Sequence, residues 1–287
     1  MPAPDASGVI HDIGYQRYTG PRLGRRYAAR SLYWHGVRGA YGIGRGAWAK
    51  VLPMGLFALA CLAAVILVVV SSQFPSPVLD YVGIASTFSY AATVFVAIVA
   101  PELVSGDLRN NLLPLYLSRP LRRSDYAMAK LGALATAVLV LFAGPMLVMF
   151  VGLAFDTRTG VSGVLEQAAD LLAGLAAAVI HAALLAALAL PLAALSGRRV
   201  FATGIIIAVF LLTAPVSGAL RALDPGAAGQ LAGLLDPVSL LNGVDRWIFG
   251  KGLVQVGPYG PVYGIVAVVL TAAGVGCAVW RYRKVKA

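Results

Sequence analysis

Charge is scarce in this sequence of 287 residues. Asp, Glu, Lys and Arg together make up 12%, against about 25% in an ordinary soluble chain. Hydrophobic residues fill 59%, against about 45–50%, and mean hydropathy is +0.81. A water-soluble core of this size has no room for so much apolar side chain, which excludes a soluble globular protein and makes lipid the solvent for much of the chain. Cysteine is nearly missing. Cys61 and Cys277 both fall inside apolar runs and read as small buried hydrophobes, so neither a disulfide framework nor a metal site is expected. No Gly-x-x-x-x-Gly-Lys-Ser/Thr occurs, so the chain has no P-loop of its own for ATP. No Ser/His/Asp or Cys/His constellation is visible either. His11 and His35 stand in the basic N-terminal region, and His181 alone falls in an apolar stretch. The first fifty residues are polar and basic with no apolar h-region, so no signal peptide is expected.

Acidic charge is the scarcer sign, 12 residues against 23 basic ones, for a formal net charge of +11. In a lipid-soluble chain that surplus reads as topology and anionic headgroups, with no nucleic acid among the partners. Six stretches are long enough to cross a hydrocarbon core, which takes about 20 helical residues. They are 51–71, 81–100, 131–155, 171–196, 200–220 and 259–280, and none contains Asp, Glu, Lys or Arg. Pro145 and Pro191 inside the third and fourth predict a kink or tilt. Nineteen of the 23 Lys and Arg lie before the first stretch, after the second, after the fourth or after the sixth. The positive-inside rule therefore places both termini in the cytoplasm. The chain reads as an all-α, multi-pass integral membrane protein of the cell membrane. Residues 1–50 form a cytoplasmic N-terminal segment, and 51–287 form one six-helix domain. Small residues such as Gly83, Gly132, Gly174, Gly204, Gly264 and Gly274 suit close helix packing.

Two segments outside the spans carry a pattern of their own. Residues 21–50 interleave arginines with aromatics. Leu23, Tyr27, Trp34 and Tyr41 keep to one helical sector, with Arg22, Arg25, Arg26 and Arg30 beside it. That predicts a helix lying in the membrane interface, ended by Gly42, Gly44 and Gly46. Residues 221–258 are moderately apolar and contain Asp236-Pro237, an N-cap followed by proline at the first helical position. A short helix from Pro237 to about Phe249, ending at Gly250, is expected, either re-entrant or lying on the surface.

The loop 101–130 is helical in its first part. Glu102, Gly106 and Arg109 fall at i, i+4 and i+7, and Leu108, Leu112 and Leu115 repeat that spacing on another face. Pro114 either kinks this helix or starts a second, Arg119-Pro120 stops it, and Ser124 or Asp125 caps the helix entering the third span. Glu102 can pair with Arg109, with the interfacial helix or with a partner protein. Topology alone accounts for Arg119, Arg122, Arg123 and Lys130.

Three motifs stand in this loop: Glu102…Asp107-x-Arg109, Leu115-Tyr116-x-Ser118-Arg119-Pro120, and Arg123-x-Asp125-Tyr126-x-x-x-Lys130. With six spans, a basic interfacial helix before the first and a helical segment between the fifth and sixth, they resemble the type-2 permease family of ATP-binding-cassette (ABC) exporters. The resemblance implies that this loop is a coupling helix seated on a separate ATPase. Glu102, Leu103, Asp107, Leu108, Arg109, Leu112, Leu115, Tyr116 and Arg119 would make that contact, and Arg22, Arg26, Tyr27, Arg30 and Trp34 would mark the interfacial helix. It further implies two ATPase copies carrying ATP and Mg, with no cofactor in this chain, and a second permease, identical or related. The second and fifth spans would line the interface between permeases. Ser86, Thr87, Phe88, Ser89, Tyr90, Thr93 and Phe95 are then the cargo-facing candidates, for a hydrophobic or amphipathic cargo. His181 either joins them or hydrogen-bonds a neighbouring helix. The alternatives are an anchoring subunit without transport and an ion-coupled carrier. The carrier would normally need an Asp, a Glu or a paired ionisable group at mid-membrane, and the six stretches contain no Asp, Glu, Lys or Arg.

Overall fold

A computed structural model describes residues 20, 23–71, 73, 80–109, 116, 121–155, 160–196, 198–224 and 226–284. Among them about 89% are helical and no strand occurs. Backbone N–H and C=O groups have no water to bond in hydrocarbon, so each crossing segment must satisfy them within itself, and the helix does so. The elements are α1 (Arg25–Ala40), α2 (Ala47–Ser71), α3 (Tyr81–Arg109), α4 (Arg123–Phe155), α5 (Val161–Leu195), α6 (Arg199–Leu223), α7 (Ala227–Leu231), α8 (Pro237–Phe249) and α9 (Gly260–Lys284). Short 3-10 turns at Ala232–Leu235 and Gly257–Tyr259 precede α8 and α9. Among the described residues six helices, α2 to α6 and α9, are long and apolar enough to cross a membrane.

The expected spans are present, and most of their helices run further. The second span's helix continues through Pro101 to Arg109, the third's begins at Arg123, and the fourth's begins at Val161. Hydropathy marks only the part of a helix that meets hydrocarbon, whereas helical hydrogen bonding carries on into the polar layers. Proline does not break these helices: Pro53, Pro101, Pro145, Pro191 and Pro215 all lie inside one.

The bundle has a centre and a rim. α5 is the hub, packed on α3, α4 and α9. Its buried face is mostly alanine, including Ala177, Ala178, Ala186 and Ala193. Small side chains let backbones approach, which lipid-solvated helices need because no hydrophobic force drives them together. Gly174 meets Tyr81, where an added Cβ would lie 2.5 Å from the tyrosine Cβ, and Gly274 of α9 meets the Ala187 carbonyl. By contrast α2 fully buries only Pro53, Ala60 and Ala64, rests Leu56, Phe57 and Val68 half-buried on the core, and turns much of its remaining surface outward. Cys277 also faces outward and Cys61 is half-buried, so the expectation that both are buried is corrected. A span turns apolar residues outward toward lipid as readily as inward.

α1 lies against α4 and α3. Leu32, Gly36 and Ala40, spaced i, i+4 and i+8, form its buried edge, and a Cβ on Gly36 would lie 2.7 Å from that of Ala133. Tyr33 shares a hydrogen bond of 2.8 Å with Thr136. Tyr27 and Trp34 stay exposed with Arg26 and Arg30, and Arg22 lies outside the described residues. Tyr41 departs from the expected outward sector: it turns inward and donates to the Ala137 carbonyl at 2.7 Å, and burial raises its phenol above the ordinary range. The chain reverses there at Gly42, whose φ of 68° and contact with Ala49 leave no room for a side chain.

Candidate functional site

Two polar clusters stand out in this apolar bundle, one at its basic end and one within it. At the basic end, Glu102 sits one residue beyond Pro101 with its side chain 5% exposed. It pairs with Arg45, in the turn between α1 and α2, at 3.0 Å, and with Arg199, the first residue of α6. One carboxylate therefore ties three elements together. Asp107, farther along α3, accepts from the Tyr126 hydroxyl at 2.6 Å and pairs with Lys130 at 2.8 Å. Lys130 is 4% exposed and also donates to the Leu103 carbonyl at 2.7 Å. A buried ammonium needs such partners, so topology alone does not account for Lys130. Arg25 meets Asp125 through two bonds of 2.5 Å, and Arg123 donates to the Arg283 carbonyl at 2.7 Å. Tyr126 packs between Tyr116 and Tyr282, with ring centroids 5.7 and 5.0 Å away.

This arrangement sorts the expected coupling residues. Glu102 and Asp107 are engaged within the chain; Glu102 pairs with Arg45 and Arg199 instead of Arg109. Leu103 is buried in the core, and Tyr116 is half-buried against Tyr126. Leu108 and Arg109 belong to α3 but their side chains are not described, and Leu112, Leu115 and Arg119 lie outside the described residues.

The second cluster is built by α8. The Asp236 side chain caps it, accepting from the Ser239 amide at 2.8 Å, and Pro237 takes the first position, as the sequence predicts. Gly250 closes it in the left-handed conformation at φ 67°. From Pro237 to Asp245 every residue is buried, against α3, α5, α6 and α9. α8 is thus packed into the bundle along its first nine residues, while Trp247 and Ile248 near its end stay exposed. Its insertion places a carboxylate inside the bundle. Asp245 is 0% exposed, and its Oδ2 accepts from the Ser86 hydroxyl at 2.8 Å and lies 2.8 Å from His181 Nε2. The other ring nitrogen, Nδ1, lies 2.9 Å from the Ser89 hydroxyl, which also donates to the Ala85 carbonyl at 2.7 Å. Phe142 packs edge-on against the imidazole, with centroids 5.6 Å apart. Ser86 and Ser89 stand five and eight residues into α3, about 8–12 Å along its axis from Tyr81.

A serine, a histidine and an aspartate in a row invite comparison with a hydrolytic triad, and the geometry argues against one. The nucleophile of a triad faces substrate beside an oxyanion hole. Here Ser89 is 0% exposed and its proton is held by Ala85. What the cluster can do is hold charge and protons away from water. Among the described residues no group of three or more His, Cys, Asp or Glu is placed to hold a metal.

The cargo-facing candidates divide by face. Ser86, Ser89, Thr93, Phe95 and His181 point into the chain's own interior and are buried. Thr87 and Tyr90 point outward and Phe88 is half-buried. The sequence reading missed Asp245 because it looked for carboxylates only within apolar windows. The missed signal was local: Asp245 lies one and four residues from Val244 and Leu241, on the half of α8 that buries. Comparison with known proteins gave no match to any family model and no matching curated protein.

Proposed function

We propose that this chain is the membrane-spanning permease subunit of an ATP-driven exporter, moving a hydrophobic or amphipathic cargo across the cytoplasmic membrane with a separate ATPase as its motor. The observation that carries this reading is the build of α3. It runs unbroken from Tyr81 to Arg109. Its basic end is clamped by Glu102 and Asp107 to the α1–α2 turn, α4 and α6. A push on the segment after Arg109 would reach these three elements at once instead of bending a loop. Internal use of the two acids leaves the leucines Leu108, Leu112 and Leu115, with Arg109, as the residues for an ATPase groove.

In this reading the basic end faces the cytoplasm, following the positive-inside rule, and the exposed stripe of Thr87, Tyr90 and Val94 on α3 meets a second permease. Cargo passes along that contact, so the inward-facing Ser86 and Ser89 serve packing and not cargo.

The test is purification of the tagged chain in mild detergent, with assays for ATP hydrolysis and for co-purifying chains. A soluble ATPase lost on replacing Leu108, Arg109 and Leu112 supports the reading and places the coupling surface. A chain that purifies alone and without nucleotide-dependent activity overturns it in favour of an anchoring subunit or an ion-coupled carrier.

A further inference from the structure

We infer that His181 and Asp245 form a binding site for one proton, held between them inside the bundle where α8 meets α3 and α5. This goes beyond the exporter reading and holds whatever drives the chain.

The argument is a count of hydrogens. Ser86 uses its proton on Asp245 Oδ2 and Ser89 uses its proton on the Ala85 carbonyl. The contact of 2.9 Å between Ser89 and Nδ1 then needs a proton on Nδ1, and the contact of 2.8 Å between Nε2 and Oδ2 needs another. Two protons shared by the histidine and the aspartate are one more than a neutral imidazole and a carboxylate carry. The pair is then either imidazolium with carboxylate or imidazole with carboxylic acid, and its net charge is zero in both forms.

Burial points the same way. A lone carboxylate away from water is strongly disfavoured, so what matters is whether another cation is at hand. α3 offers the hydroxyls of Ser86, Ser89 and Thr93, and α4 offers the Phe142 ring. On α6, Arg221 bonds Ser217 and Thr213 bonds Asp236. On α8, Arg246 turns away to the Gly250 carbonyl, and Asn242 bonds the Val238 carbonyl. On α9, the Tyr263 hydroxyl goes to the Gln230 carbonyl. Among the described residues no Lys or Arg pairs with Asp245. Loss of the proton would leave one negative charge in the interior, with Asp245 Oδ1 still lacking any partner in the protein.

The test uses the full chain in lipid nanodiscs with His11→Gln and His35→Gln, which leaves His181 as its one histidine. Nitrogen NMR of a ring-labelled sample at pH 7.5 counts the protons on the imidazole, and infrared difference spectroscopy against Asp245→Asn reads the carboxyl group. Two protonated ring nitrogens support the site as imidazolium with carboxylate. One protonated nitrogen with a protonated-carboxyl band that disappears in Asp245→Asn supports its other form. One protonated nitrogen with no such band overturns the proposal. The nitrogen count on the Asp245-containing protein decides even if Asp245→Asn fails to fold: a single protonated nitrogen is then resolved by the absolute carboxyl band of Asp245 in selectively labelled protein. Neither readout depends on an ATPase.

Discussion

Asp245 enters the bundle on a helix that does not cross it and lies 2.8 Å from Nε2 of His181, in the interior of a helix that does. Three elements from distant parts of the sequence meet there, because Ser86 and Ser89 on α3 bond the same two residues. The contact adds a fixed polar register to the apolar packing of α8 through Val238, Leu240, Leu241 and Val244. Its apolar residues alone would let it slide or tilt, whereas a polar pair in an apolar interior has one satisfactory position.

Removing one member of this pair should therefore cost more than removing both. His181→Leu leaves the Asp245 carboxylate buried with only Ser86, and Asp245→Leu leaves the imidazole without its acceptor. Each should lower stability by about 3–5 kcal/mol, as breaking a buried pair does. The double variant should recover much of that loss, since two apolar side chains need no partners. Unfolding of the four proteins in detergent gives the interaction energy as a double-mutant cycle. Equal and additive losses would show that the two residues do not depend on one another.

The clamp at Glu102 should behave in the opposite sense. Arg45 and Arg199 are 44% and 57% exposed at their side chains, so water compensates either when it loses the carboxylate. Arg45→Met or Arg199→Met alone should then cost no more than about 1 kcal/mol, the usual worth of an exposed pair. Glu102 itself is buried, and the double variant would strand it. We expect the double loss to exceed the sum of the single ones, read from the same unfolding measurement. A strictly additive result would mean that Glu102 is solvated without its arginines.

These two clusters also show how far the sequence could be read. The six crossings follow from apolar runs longer than a bilayer core, and the helix at Pro237 follows from Asp236-Pro237 and Gly250, because both signals are local. The Asp236 cap and the Gly250 end appear where the residue types demand. Partners of Glu102, by contrast, lie 57 residues before it at Arg45 and 97 after it at Arg199, and no spacing rule spans such distances. The same holds for His181 and Asp245, 64 apart. Helical periodicity puts Ser86 and Ser89 on one face of α3, but which side of that helix faces the chain's own core is decided by α5 and α8. That is why Ser86 and Ser89 face the interior while Thr87 and Tyr90, on the same helix, face outward.

Packing of α9 on α5 gives a sharper test of close approach. A Cβ on Gly274 would overlap the Ala187 carbonyl, which as backbone cannot step aside, whereas a Cβ on Gly276 meets nothing within 4 Å. Gly274→Ala should destabilise by about 1–3 kcal/mol, the range for overpacking. Gly276→Ala should be neutral or stabilise slightly, because alanine favours the helix by up to about 1 kcal/mol. Thermal unfolding of the two variants compares them directly. A tolerant Gly274 would mean that α9 stands farther from α5 than the backbone contact implies.

Successive residues of α3 divide the bundle's interior from its surface. Thr93 is 1% exposed and bonds the Ser89 carbonyl, while its neighbour Val94 is 41% exposed on the stripe with Thr87 and Tyr90. If that stripe meets a second copy of the chain, cysteines one residue apart should behave differently. Cys61 and Cys277 would first be replaced by alanine, since both are free and Cys277 is exposed. In that background Val94→Cys should form a disulfide-linked dimer in native membranes under mild oxidation, and Thr93→Cys should not. Linking requires the two Cα atoms to come within about 7 Å, so the result places the copies on this face and not merely near one another. A Val94→Cys protein that stays monomeric when oxidised removes the identical-copy form of the interface. It would turn the search to a related permease, whose own cysteine opposite Val94 would then be needed to close the bond.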